Sequence, residues 1–148
     1  MSRGYFAIGI ENGKTRSNIG TLWRSAGIFG ASFIFTTGRR YQKQCSDTLK
    51  TPRHVPLHHY SDFDDLFEHL PHSCQLVGVE LVENPVMLPD FKHPKRAVYL
   101  LGAEDHGLSA SALDRCHSII QIPTAKEYSL NVAVAGSVIM YDRFAREL

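Results

Sequence analysis

Short apolar runs alternate with amphipathic stretches along the chain. The runs rich in β-branched, leucine or aromatic residues, which predict buried strands, are 5–10, 32–35, 75–79, 97–101 and 119–122. Residues 19–29 and 62–70 carry apolar side chains at helical spacing, and a short helix is expected from Ser109. This alternation predicts an α/β fold, in which helices flank a parallel sheet.

Residues that stop helices mark the ends of these elements. Gly30 follows the helix predicted over 19–29, and Pro71 follows the helix predicted over 62–70, for which Ser61 is the expected N-terminal cap. The stretch 84–94 contains prolines and is expected to be a connection between elements.

The C-terminal part of the chain ends in a helix of unusual composition. The apolar run 119–122 stops at Pro123, which cannot donate a strand hydrogen bond, and Ser129 and Asn131 are expected to cap the helix that follows. Over 132–141 that helix is apolar on nearly every side. Such a helix must be covered on more than one face.

Length and composition indicate one domain over residues 1–148. Its 43% apolar content is enough for a core. We expect a cytoplasmic protein with no membrane association, because no apolar run has membrane-spanning length and the N-terminus lacks a signal-peptide hydrophobic region. The three cysteines, Cys45, Cys74 and Cys116, show no metal-binding spacing and are expected to be reduced.

The charged residues are unevenly distributed although the net charge is only +1. Residues 39–59 are basic, whereas 61–90 are acidic and contain no lysine or arginine. The basic segment is the expected place for phosphate contacts, through Arg39, Arg40, Lys43 and Arg53, although a solvated surface loop has the same pattern.

No metal is expected: His54 and His58 have ligand spacing only on a helix, which Pro52 and Pro56 oppose.

Two familiar phosphate-binding motifs are absent. The stretch 9–15 resembles a P-loop, but three residues separate its glycines where four are needed. The Gly-x-Gly-x-x-Gly dinucleotide fingerprint does not occur either. An α/β domain that binds nucleotides without methylation remains an alternative supported only by the strand alternation and this imperfect P-loop.

Two further segments have residues suited to binding. Arg24 falls away from the apolar stripe predicted for its helix, beside small residues, where it could reach a phosphate or stay solvated. The turn at 101–109 follows a strand, at the edge where parallel α/β sheets bind ligands. In that turn Gly102 would let backbone approach a ligand and Glu104 could accept hydrogen bonds.

Taken together, three motifs resemble those of the SpoU/TrmH-type RNA 2′-O-methyltransferases of the SPOUT class. They are Asn18-x-Gly20-x-x-x-Arg24-x-Ala26, Leu101-Gly102-Ala103-Glu104-x-x-Gly107-Leu108, and Ile122-Pro123 with Ser129-Leu130-Asn131-x-Ala133-x-Ala135. The likeness runs from Tyr5 to the C-terminus. In size the chain is most similar to the minimal, TrmL-like members, which methylate the wobble ribose of tRNA and lack a separate RNA-binding domain.

The resemblance implies a C-terminal deep trefoil knot, S-adenosylmethionine as cofactor with S-adenosylhomocysteine as product, an RNA substrate, most naturally tRNA, and a homodimer formed through the C-terminal helix. The cofactor residues that it implies are Val79, Glu80, Leu101, Gly102, Ile122, Pro123, Ser129 and Leu130. The catalytic set is Arg24 with Asn18, Glu104, Ser129 and Asn131, which would orient Arg24 and the ribose.

Some features leave alternatives open. A guanidinium is a poor general base, so Arg24 would more easily bind the adjacent phosphate or stabilise a developing alkoxide.

The second motif carries Asp105 and His106 where many members have small or uncharged residues, and 126–128 lacks the glycine often found in the third. His106 is either an alternative proton acceptor or a surface histidine in a turn. The alternative function is a cofactor- or RNA-binding protein of the same fold without transferase activity.

Overall fold

A seven-stranded sheet forms the centre of the computed structural model, which describes residues 4–40, 55–126 and 128–148. The strands are β1 (Tyr5–Glu11), β2 (Phe33–Thr37), β3 (Leu57–Tyr60), β4 (Gln75–Val79), β5 (Val86–Met87), β6 (Arg96–Leu101) and β7 (Ser118–Gln121). Their order in space is β3-β2-β1-β6-β4-β7-β5, and each neighbouring pair is parallel. The predicted class, a parallel sheet flanked by helices, is confirmed.

Helices cover the sheet on both faces. They are α1 (Arg16–Phe29), α2 (Phe63–Glu68), α3 (Ala110–Arg115) and α4 (Val132–Arg146), with a short 3-10 turn at Leu88–Asp90. Within the described ranges no helix is long and apolar enough to cross a membrane.

The alternation of side chains along each strand divides the core into two layers. On β6, Tyr99 and Leu101 are buried in the layer under α1 and α4, whereas Val98 and Leu100 are buried in the layer under α2 and α3. Gly136 lets α4 lie close to α1 and the sheet, because a Cβ there would meet Leu22 Cδ1 at 2.5 Å. The central strands are therefore buried on both faces, as their continuous apolar runs predict.

Helix ends differ in part from the sequence predictions. Gly30 ends α1 in the left-handed conformation, with φ of 84°, as expected, but the helix begins at Arg16, before the predicted residue 19. The prediction of Ser61 as cap of α2 is wrong: Asp62 is the cap, and its carboxylate accepts a hydrogen bond from Asp65 N at 2.8 Å. Ser61 lies one residue before the cap position, and its backbone N instead donates to Asp65 Oδ2 at 2.9 Å.

The C-terminal helix also starts later than expected. Asn131 is its cap and accepts hydrogen bonds from Ala133 N at 2.9 Å and Val134 N at 3.2 Å. Among the described residues no such bond is found for Ser129, so its predicted capping role is wrong. The threading of this region through a knot, which the resemblance implies, stays a prediction.

Two strands of the sheet were not predicted. β3 contains His58 and His59, and β5 is only two residues long within the stretch expected to be a connection. Both lie at the edges of the sheet, where a strand is half-covered and needs no continuous apolar run. Lys43, Cys45 and Arg53 lie outside the described residues.

Candidate functional site

A cavity of about 520 Å³ opens at the carboxyl-end edge of the sheet, where β4, β6 and β7 end. This is the edge at which parallel α/β sheets bind ligands, and the volume lies within the ~300–1,000 Å³ of small-molecule sites. The predicted residues that line the cavity are Val79, Glu80, Leu101, Gly102, Glu104, Ile122, Ser129 and Leu130. Pro123 is exposed and does not line it, and its contact with a cofactor stays a prediction.

Glu80 fixes two backbone segments of the cavity wall. Its carboxylate accepts hydrogen bonds from Leu81 N at 2.8 Å and Leu108 N at 2.7 Å. Hydrogen bonds to a carboxylate are stronger than those between neutral groups. Glu80 therefore ties the end of β4 to the turn after β6, and its contact with a cofactor stays a prediction.

Three polar side chains from distant parts of the chain form a hydrogen-bonded series beside the cavity. Asn131 Nδ2 donates to Asn18 Oδ1 at 3.0 Å, and Asn18 Nδ2 donates to Glu104 Oε1 at 2.5 Å. Asn18 is only 6% exposed, so both of its polar ends need these partners. The sequence predicted that the three residues act together, and the structure brings them together.

Gly102 allows a close approach of the chain to itself. A Cβ at this position would meet the backbone carbon of Gly107 at 2.4 Å and Leu108 N at 2.6 Å. The sequence prediction assigned this freedom to an approaching ligand. Although Gly102 lines the cavity, the nearest atoms are those of the turn itself.

Arg24 does not line the cavity. Its side chain is exposed on α1, away from the buried stripe of Ile19, Leu22, Trp23 and Ala26, as the helical pattern predicts. No hydrogen bond or ion pair to it is found among the described residues. Arg24 thus lies on the face of α1 that is turned away from the core, without a polar partner in the part of the chain that the structure describes.

The two described members of the predicted RNA-binding set are Arg39 and Arg40. Both are exposed and follow β2, after the left-handed Gly38. Lys43 and Arg53 belong to the part of the chain that the structure does not describe, so the basic segment stays a prediction.

Two carboxylate contacts near the site were missed by the sequence predictions. Buried Glu11, at the end of β1, accepts hydrogen bonds from Ser109 N at 2.6 Å and Ser109 Oγ at 2.8 Å. Lys14 forms an ion pair with Asp105 and so binds the turn after β6. The position of Glu11 at the end of a buried strand indicates that its carboxylate needs a hydrogen-bond partner. Neither Ser109 as that partner nor Asp105 as the partner of Lys14 can be identified without the strand order.

The titratable groups around the cavity are mostly exposed. The Lys14 ammonium holds the pKa of Asp105 below its ordinary value, and His106 is 78% exposed, a surface histidine in a turn. Burial raises the pKa of Cys116 to about 12, so this thiol stays protonated and is a weak nucleophile. In the described ranges no group of three or more metal-ligating side chains is found.

A parallel sheet with a mixed apolar and acidic cavity at its carboxyl-end edge defines a ligand-binding α/β protein. The model of the SpoU rRNA Methylase family matches residues 5–141. The chain therefore belongs to this family.

Curated relatives share a similar sequence over most of this chain. An uncharacterized tRNA/rRNA methyltransferase of Archaeoglobus fulgidus is 26% identical over 152 aligned positions, which cover 95% of this chain and 65% of the relative. A protein of Staphylococcus haemolyticus, assigned to TrmH-family tRNA/rRNA methyltransferases, is 25% identical over 135 positions, covering 87% of this chain and 54% of the relative. The chain spans about half to two thirds of the relatives' lengths.

Solved structures share the fold. The SpoU methyltransferase AviRb from Streptomyces viridochromogenes, in complex with the cofactor AdoMet, superposes with a TM-score of 0.87 at 22% identity over 97% of this chain and 58% of AviRb. A second structure is described as giving insights into 2-OH methylation of C/U34 on tRNA. It superposes with a TM-score of 0.84 at 22% identity, and the match covers 98% of this chain and 97% of the other chain.

Proposed function

We propose that this protein transfers a methyl group from S-adenosylmethionine to a ribose 2′-hydroxyl of RNA, with tRNA, at the wobble nucleotide, as the substrate. The observation that carries the proposal is the Asn131–Asn18–Glu104 series, which orients Glu104 where it lines the cavity. Membership of the SpoU family and the AdoMet complex of AviRb support it. So does the similar length of the protein linked to C/U34 methylation.

The lining of the cavity suits S-adenosylmethionine. Apolar side chains of Val79, Leu101, Ile122 and Leu130 offer a surface for an adenine ring. The carboxylates of Glu80 and Glu104 favour a ligand that carries positive charge, as a sulfonium and an ammonium group do. The hydroxyls of Thr124 and Ser129 can donate to the ligand's carboxylate or ribose.

The chain's own residues would position the ribose for attack. When bound, S-adenosylmethionine supplies an electrophilic methyl group on sulfur. Glu104, held by Asn18, is placed to accept a hydrogen bond from the ribose, and Ser129 lines the same cavity and can donate or accept. Correct alignment of a hydroxyl with a reactive centre can supply a large part of a rate enhancement.

Arg24 is the cation that the site needs to hold an RNA phosphate or a developing alkoxide, yet it lies outside the cavity. We propose that a second copy of the chain brings an Arg24 to each cavity. The exposed face of α4 supports a dimer: Val134, Val138, Tyr141 and Phe144, 36–58% exposed, recur at helical spacing. A contiguous apolar face of this kind commonly marks an interface.

Arg39 and Arg40 would bind the RNA backbone together with Lys43 and Arg53. With a net charge of +1, one chain has little general attraction for a polyanion. Two copies in a dimer would present two basic segments to one RNA, which raises affinity through effective concentration.

The test is labelled methyl transfer from S-adenosylmethionine to unmodified tRNA, followed by mapping of the modified nucleotide. We expect a 2′-O-methyl ribose in the tRNA and S-adenosylhomocysteine as product, and calorimetry should show binding of S-adenosylmethionine but not of ATP. Binding of S-adenosylmethionine without transfer to any cellular RNA would instead support the alternative, a binding protein of the same fold. Methylation of a base would refute the ribose assignment.

A further inference from the structure

Residues 102–107 form the turn after β6, and each of them lines the cavity. We call this turn the cavity loop. Its base is fixed to the sheet. Gly107 N donates to Ala103 O at 3.0 Å, and the next residue, Leu108, donates from its backbone N to the Glu80 carboxylate at 2.7 Å. The loop is thus tied down where its two ends meet.

The tip of the cavity loop is held by other partners. The Lys14 ammonium pairs with the Asp105 carboxylate, and Lys14 N donates to Glu104 Oε2 at 3.4 Å. Asn18 supplies the third contact, at 2.5 Å to Glu104. Lys14 and Asn18 belong to one short segment, at the start of the helix that carries Arg24. The contacts at the tip therefore join the cavity wall to α1.

The ion pair between Lys14 and Asp105 is too exposed to matter much for folding. Their side chains are 44% and 46% exposed, and an exposed pair is screened by water and salt. A contact of this strength can still change how often a surface loop opens, because local opening needs far less free energy than unfolding. In the described part of the chain, the other group beside Asp105 that can carry a positive charge is His106, whose Nε2 lies 3.9 Å from the carboxylate and whose side chain is 78% exposed.

We propose that Lys14 and Asp105 form a latch that holds the cavity loop against the start of α1 and keeps Glu104 on Asn18. Lys14 is then a positioning residue, acting through Asp105 and the loop. The latch controls how often the cavity opens for exchange of its ligand. Its effect on methyl transfer rests on the proposed function, whereas its effect on the loop does not.

Amide hydrogen exchange of residues 102–107 tests the latch without reference to activity. Lys14→Met and Asp105→Asn should each speed exchange of the loop by about two- to fivefold, where fivefold corresponds to about 1 kcal/mol. The reversed pair, Lys14→Asp with Asp105→Lys, should restore the wild-type rate. Control variants Lys92→Met and Asp90→Asn remove one charge each at exposed positions outside the loop and should leave its exchange unchanged.

Binding and transfer measurements extend the test. In the two single variants, dissociation of S-adenosylmethionine should be faster by a similar factor and kcat for methyl transfer should fall, with KM for RNA little changed. The reversed pair should recover both. If the wild type transfers no methyl group, the proposed function fails, and the exchange measurement still decides on the latch.

Three outcomes would overturn the latch. The first is unchanged loop exchange in both single variants. The second is faster exchange that the reversed pair does not restore, since pairing would then not be the cause. The third is a raised KM for RNA with unchanged loop exchange, which would assign Lys14 to an RNA phosphate.

Discussion

Asn131 donates a hydrogen bond from Nδ2 to Oδ1 of Asn18 across 3.0 Å, although 113 positions separate the two residues. The direction of this bond is fixed, because Asn131 Oδ1 already accepts the backbone N–H groups of Ala133 and Val134. Asn18 must then turn its own Nδ2 towards Glu104. The N-terminal cap of α4 thus sets the orientation of a carboxylate at the cavity.

Replacement of Asn131 by aspartate should separate this role from helix capping. Aspartate caps a helix as well as asparagine does, but it leaves the buried Asn18 Oδ1 without a donor, so we expect the free energy of unfolding to fall by about 1–3 kcal/mol. The new carboxylate cannot donate to Asn18, and kcat for methyl transfer should fall by about tenfold to a hundredfold. Denaturant unfolding and steady-state kinetics check this, with Asn131→Ala as the control that loses both functions. Wild-type turnover in Asn131→Asp would refute the orienting role.

Loss of Arg24 should affect transfer and not cofactor binding. Because Arg24 lies outside the cavity, Arg24→Ala should keep the wild-type Kd for S-adenosylmethionine but lower kcat by about 10²–10³-fold, as expected for removal of a charge-stabilising group. Arg24→Lys should recover part of the rate. Calorimetry and labelled methyl transfer measure the two effects, and unchanged turnover would remove Arg24 from the catalytic set.

A mixing experiment tests whether Arg24 acts across a dimer. Arg24→Ala and Glu104→Gln chains, each with low activity alone, would form mixed dimers in which one cavity has Glu104 from one chain and Arg24 from the other. Partial recovery of activity on co-refolding is expected if Arg24 serves the partner's cavity. No recovery, with mixed dimers shown by mass, would place Arg24 and Glu104 in the same chain's site.

A charge on the exposed face of α4 should prevent the proposed dimer. Val138 is 36% exposed in the middle of that face, so Val138→Asp should give the mass of a single chain by sedimentation, without unfolding. The matched control is Val86→Glu, at an apolar position of β5 that is 42% exposed. A wild-type protein that sediments as a single chain at micromolar concentration would refute the dimer.

Protonation of His93 should weaken the folded state at mildly acidic pH. Its side chain is 7% exposed, its Nδ1 accepts from the Tyr99 hydroxyl at 2.6 Å, and its Nε2 donates to Asp142 at 2.7 Å. Burial lowers the pKa of His93 below its ordinary value, against the opposing effect of Asp142. The unfolded chain therefore binds the proton more readily than the folded chain.

The stability contributed by neutral His93 is fully present above the unfolded pKa of about 6.5 and is lost as pH falls below it. We expect the free energy of unfolding to decline more steeply between pH 7 and 5 in the wild type than in His93→Gln. Denaturant unfolding at several pH values measures the slopes, and exposed His106→Gln is the control. Parallel slopes in wild type and His93→Gln would contradict the prediction.

Gly102 should tolerate no side chain. A Cβ would meet backbone atoms of Gly107 and Leu108 at 2.4–2.6 Å, and backbone cannot move aside as a flexible side chain can. Gly102→Ala should cost about 1–3 kcal/mol of unfolding free energy and weaken S-adenosylmethionine binding, since the loop must shift. Gly30→Ala is the comparison: among the described residues no atom lies within 4 Å of a Cβ built there, so the expected cost comes from the positive φ.

The central strands could be predicted because their signals are local, whereas the residues that line the cavity were named as cofactor residues only through the resemblance to a family. Val79, Leu101 and Ile122 lie at or just after the ends of buried apolar runs, and the ends of parallel strands meet at one edge of a sheet. Asn18, Glu104 and Asn131 could be grouped only through the resemblance to a family. Nothing in their spacing places them in contact.

The remaining contacts depend on the order of the strands in space. Lys14 meets Asp105, and Glu11 meets Ser109, because β6 lies beside β1 in the sheet although β2 to β5 come between them in sequence. Edge strand β3, with its two histidines, has no apolar run that would predict it. A local sequence pattern contains neither the order of the strands in space nor a sign of an edge strand that lacks an apolar run.

The central position of β6 also affects how the chain can fold during synthesis. Tyr5 on β1 pairs with Arg96 on β6, and Gln75 on β4 pairs with Ala97, so both strands keep an open edge until β6 has been made. Unpaired edges of this length can bind other strands, and contacts between distant residues form slowly. A nascent chain that has passed β4 would thus be at its most prone to aggregate, and it would have no cavity until β7 and the start of α4 emerge.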